Sequence, residues 1–214
     1  MRSITLKKKD PRVTAAFEKR LRILSEELAS ARGGLAFLSQ LERLDSEQHP
    51  FLSEAPRFTA WLFEAQWREV VLTMARIYEI RRKNKDLKNL QNFIRFLSRQ
   101  RADVFYRAFI GDEGSTPVAP DTDALIDSLK RVLEQYSDVI RAIMAERDKT
   151  IAHLTASRSQ VPFERETLDS LVEATIDWLH DVRYLYDRRP LEIPKTPVSD
   201  FFEAIDACSC ETKR

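Results

Sequence analysis

Residues 121–154 read DTDALIDSLKRVLEQYSDVIRAIMAERDKTIAHL, and the spacing of their apolar members decides the fold class. Leu125, Ile126, Leu129, Leu133, Tyr136, Ile140 and Ile143 recur every three or four places, the period of an α-helix that buries one stripe. Asp121 and Thr122 are both good caps for its start. The spacing therefore predicts one helix from there to about Leu154, the longest in the chain.

The same period extends outward on both sides. Pro11 suits a helix start, and Phe17, Leu21, Leu24 and Leu28 form a first stripe. Paired Gly33 and Gly34 weaken a helix interior, so a bend or stop is expected there before Leu35, Leu38 and Leu41 resume. Residues 45–56 hold Pro50, Ser53 and Pro56 and read as a loop. A second helix is expected over about 56–82, a central element burying Trp61, Leu62, Ala65, Val70, Met74 and Ile77. A third, over about 87–110, carries Leu90, Phe93, Ile94, Leu97, Val104, Phe105 and Phe109. Gly111, Gly114, Pro117 and Pro120 end it. Pro162 opens the last main helix, whose Leu168, Leu171, Val172, Thr175, Trp178, Leu179, Val182 and Leu185 keep the period until Pro190. Pro190, Pro194 and Pro197 predict an extended strap, followed by a short helix over about 200–208.

The expected architecture is an all-α bundle of about five main helices with a proline-rich C-terminal strap and a short terminal helix. It divides into a basic N-terminal extension (1–10), a helical domain (11–190) and a strap and tail (191–214). Composition agrees: of 214 residues 43% are hydrophobic and 32% charged, with four glycines, which favours amphipathic helices over sheet and turn.

Several function classes are disfavoured. So few glycines leave no phosphate-cradling loop and no dinucleotide fingerprint. The three histidines, His49, His153 and His180, lack metal-ligand spacing. His49 precedes Pro50 in the expected loop, and His180 beside Trp178 and Asp181 reads as structural. Cys208 and Cys210 are spaced poorly for a structural disulfide and too few for zinc. No metal and no cofactor is expected. The basic start MRSITLKKKD has no apolar stretch after it, and nothing approaches the roughly 20 apolar residues of a membrane span. A cytoplasmic location with no membrane partner is expected.

Net charge is +1, but its distribution is uneven. Residues 76–107 hold ten Lys or Arg against three acids, a balance of +7, whereas residues 112–148 come to −5. A phosphate track on one face and an ordinary solvated surface both fit such asymmetry.

The chemically pointed segment is Arg147-Asp-Lys-Thr-Ile-Ala-His153. At 100° per residue, Glu146, Lys149, Thr150 and His153 share an almost entirely polar face. Arg147 lies about 120° round the helix from His153, so one chain does not aim both groups at one target. Two chains meeting near a two-fold axis could, with Ala145 and Ala152 permitting close approach.

The Arg-polar-four-residues-His pattern on a long, late helix of an all-α chain resembles the motif of the HEPN superfamily. MARIYEIRRKNKDLKNLQNFI (residues 74–94) followed by RDKTIAH (147–153) is similar to the abortive-infection U-type branch, over roughly residues 10–190. The resemblance implies a HEPN-like bundle and a metal-independent RNA endonuclease, a toxin or phage-defence effector, working as a homodimer through the helix bearing Arg147 and His153. It also implies a possible antitoxin partner. In that chemistry His153 takes the ribose 2′-hydroxyl proton, and Arg147 binds the phosphate oxygens where charge grows. Asp148 orients one of them, and Lys149 lowers the histidine pKa or binds phosphate. Arg81, Arg82, Lys83 and Lys85 are the first candidates for further phosphate contacts. The tyrosine that many relatives carry after the histidine is replaced by Leu154-Thr155-Ala156. Two other readings stand beside the enzyme: a non-catalytic binding or regulatory module of the same class, and an unrelated helical scaffold.

Overall fold

The structure, a computed structural model, describes residues 10–43, 56–79, 88–105, 121–152 and 164–194, without the side chains of residues 102 and 149–152. Every regular element among them is an α-helix. These are α1 (Pro11–Arg43), α2 (Pro56–Tyr78), α3 (Leu90–Val104), α4 (Thr122–Gln135), α5 (Ser137–Ala152) and α6 (Arg165–Asp187). The all-α expectation is met, with six helices among the described residues in place of about five.

The difference arises inside 121–154. Asp121 caps α4, its Oδ1 accepting from the Ala124 N–H at 2.8 Å. The helix then turns at Tyr136, and Ser137 starts a separate α5. Ser137-Asp138 is a helix-start signal embedded in the periodic run, Asp138 placing an acid in the first turn where the helix dipole favours it. The break lets one apolar run serve two partners, since α4 packs on α6 and α5 packs on α2. Among the described residues the longest helix is α1, with 33 residues.

α1 is also the central element, in place of α2, because it packs against α2, α3 and α6 together. It runs through Gly33 and Gly34 unbroken. A Cβ on Gly34 would stand 2.4 Å from Val70 Cγ2 and 2.8 Å from Gln66 Nε2, so the glycine is there to let α2 approach. Gly34→Ala should gain up to about 1 kcal/mol in helix propensity and lose about 1–3 kcal/mol to overpacking against the stiff valine. A net loss is expected in thermal unfolding. The Gly34→Ala penalty should shrink or reverse in a Val70→Ala background, and an equal penalty in both backgrounds would reject contact as its cause.

The expected core stripes of α1, α3 and α6 are buried as read, around Phe17, Leu24, Leu28, Leu35, Leu38, Phe93, Leu97, Leu171 and Leu179. Phe105 is buried at the C-terminal cap of α3. The reading of α2 needs correction in its first half. Trp61 is 61% exposed and stacks loosely on Phe58 on the outer face, and burial starts in earnest at Val70. Inside the core Tyr78 Oη and Thr175 Oγ1 share a hydrogen bond of 2.7 Å, and Trp178 Nε1 donates to the Leu125 carbonyl at 2.8 Å. Complete burial raises the Tyr78 phenol far above its ordinary value, against the lowering effect of the Thr175 hydrogen bond. It therefore stays neutral.

α6 starts at Arg165, with Glu164 at its cap position, and closes at Arg188 in the left-handed region (φ 62°). The chain then runs without regular structure to Pro194, with Leu191 and Ile193 packed on the core. His180 lies on the outer side of α6. The expected loop over 45–55, the Gly and Pro residues 111–120, Phe109, His49, Pro162, Pro197, the short helix over 200–208, Cys208 and Cys210 lie outside the described residues.

Candidate functional site

The last turns of α5 sit where α2 ends and α3 begins. α2 closes at Tyr78, and Glu79 follows it. Asn89 caps α3, its Oδ1 accepting from the Asn92 N–H at 3.1 Å, while its Nδ2 donates to the Glu79 carbonyl at 2.6 Å. One side chain thus starts α3 and pins it to the end of α2. Behind this junction Glu27 of α1 accepts from Arg76 Nε at 3.2 Å and pairs with Lys88.

Arg147 reaches into this junction. Its Nη1 donates to Glu79 Oε1 at 2.5 Å, and its Nε and Nη2 donate to Asp148 Oδ1 at 3.0 and 2.7 Å. The side chains of Arg147 and Glu79 are 17% and 15% exposed. Burial works against the guanidinium charge, but the hydrogen bonds to Asp148 and Glu79 outweigh it and push the Arg147 pKa up, so it stays cationic at any working pH.

Of the residues singled out from the sequence, the structure brings Arg147 and Asp148 together. It adds Glu79, which the sequence reading counted only as one of three acids in a basic run. An acid isolated among cations is a weak signal of a specific partner, and here that partner is 68 residues away. Lys149 stands in α5, with its side chain outside the described set. His153, Arg81, Arg82, Lys83 and Lys85 lie outside the described residues.

On the face read as polar, Glu146 is buried at 5% exposure and continues the buried series Ile140, Ile143, Glu146. The burial follows from α5 packing on α2. The basic segment is also less free than its charge suggested. Arg76 is tied to Glu27 and Glu69, Lys88 to Glu27, and Arg101 donates to both oxygens of Asp123 at 2.8 and 2.9 Å. Three acids from outside the segment, Glu27, Glu69 and Asp123, therefore offset part of the +7 balance.

No group of His, Cys, Asp and Glu among the described residues could hold a metal ion, and no described helix is long and apolar enough to cross a membrane. The chain matches no family model, no curated protein and no solved structure.

Proposed function

We propose that the chain is a metal-independent RNA endonuclease of the HEPN type, a toxin or phage-defence effector that acts in the cytoplasm as a homodimer. The observation that supports this reading is the Arg147 guanidinium, fixed by Asp148 along its Nε–Nη2 edge six residues before His153 in sequence. An arginine held in plane by a carboxylate is prepared to bind a phosphate without losing further side-chain freedom. It also touches Glu79, and Arg81, Arg82, Lys83 and Lys85 lie two to six places after Glu79 in the sequence.

The chemistry needs no metal. His153 accepts the proton of a ribose 2′-hydroxyl, the 2′ oxygen bonds to the adjacent phosphorus, and the bond to the 5′ oxygen breaks as that oxygen takes up a proton. Arg147 stabilises the charge that grows on the non-bridging oxygens. Asp148 positions Arg147, and Lys149 with the 81–85 cations binds neighbouring phosphates. An antitoxin protein would restrain the activity in the cell.

A second reading follows from the Glu79 contact. An Arg147 paired with two carboxylates can be a structural tie between α5 and α2 in a non-catalytic binding or regulatory module of the same class. One assay separates the two: purified wild-type protein incubated with RNA in excess chelator. Chelator-resistant cleavage is expected from the enzyme. Intact RNA would favour the module, and cleavage that requires added metal would contradict the mechanism.

A further inference from the structure

The two carboxylates on Arg147 are not equivalent. Asp148 is the next residue on the same helix, so its grip travels with α5, and it occupies the Nε–Nη2 edge through one oxygen. Glu79 comes from the end of α2 and holds Nη1. A phosphodiester prefers two parallel donors from a guanidinium. With the Nε–Nη2 edge taken, the remaining pair of donor nitrogens is Nη1 and Nη2, and Glu79 sits on Nη1.

The charges point the same way. Arg147, Glu79 and Asp148 are one cation and two carboxylates, so the guanidinium charge is already matched within the trio. The low exposure of Arg147 and Glu79 means that an anion reaches Nη1 by displacing the carboxylate rather than by joining it. We infer that Glu79 is an internal anion occupying the phosphate seat of Arg147, and that RNA engages the site by exchanging this carboxylate for a phosphodiester oxygen. As regulation of RNA cleavage the inference rests on the nuclease reading. As an anion seat it can be measured without that reading.

Full-length wild type, Glu79→Gln, Glu79→Asp and Glu79→Gln/Arg147→Lys would be compared with two probes, a labelled single-stranded RNA in chelator and inorganic phosphate alone. Glu79→Gln should bind the RNA about tenfold more tightly at 0.1 M salt, while the logarithmic salt slope stays close to that of wild type because both complexes hold the same phosphate. Phosphate should raise the melting temperature of Glu79→Gln more than that of wild type, and the excess should vanish in the double variant. Glu79→Asp withdraws the carboxylate by one methylene and should gain about threefold in RNA affinity by weakening a charge-assisted bond. It serves as the test should Glu79→Gln unfold. Folded variants with no gain for either probe would overturn the inference. Chelator-resistant cleavage by wild type alongside that result would reject the seat and keep the nuclease. A phosphate gain with no cleavage by any variant would keep the seat and reject the nuclease.

Discussion

RNA cleavage by His153→Ala is expected to fall by roughly two to four orders of magnitude, the usual worth of a general base. Arg147→Ala should lose about two to three orders, but it also removes the tie to Glu79 and the bonds to Asp148, so part of its effect is structural. If each site takes its arginine and histidine from different protomers, a refolded equimolar mixture of the two inactive chains should recover about a quarter of wild-type activity, from half of the dimers carrying one intact site each. A mixture no more active than its parents would sink the shared-site arrangement. Full activity in His153→Ala would remove the enzyme reading altogether.

The second large effect concerns stability. Phe17→Ala should cost about 3–5 kcal/mol, a large share of the roughly 5–15 kcal/mol available to a domain. Phe17 is completely buried, and its ring centroid lies 4.5 Å from Tyr186, 5.9 Å from Phe93 and 6.5 Å from Phe105. Those contacts come from α6, α3 and the residue that caps α3. Truncation therefore opens a cavity where three helices meet, with aromatic walls that cannot collapse easily. The measurement is the urea midpoint with the slope checked for change. Phe17→Leu should lose much less, because it keeps most of the volume. A Phe17→Ala cost below about 1 kcal/mol would show that this aromatic junction does not hold the bundle together.

Much of the fold was legible before any coordinates. Pro11 and Pro56 start helices as read, and the stripes of α1, α3 and α6 are buried as read. The misreadings share one cause. Apolar spacing reports that a face is covered but not by what, so it ran 121–154 together across Tyr136 and buried Trp61, which the structure leaves 61% exposed. Gly33-Gly34 was read through propensity alone, and propensity carries no information about Val70 on another helix. In the candidate site, Arg147 and Asp148 were singled out through the resemblance that the Arg147–His153 segment carries. Glu79 was not, because nothing local in the sequence links it to a residue 68 places away.

Period, composition and turn residues are properties of neighbouring positions, and they were enough to establish an all-α chain, most helix starts and the buried stripes. The partner of each stripe, the unbroken course of α1 through its glycines, the division of 121–154 between α4 and α5, and the Glu79 carboxylate on Arg147 were decided only in the packed structure. The physical reason is the same for each: they are contacts between segments far apart in the chain, settled by which surfaces exclude water together and which charges meet where water is scarce.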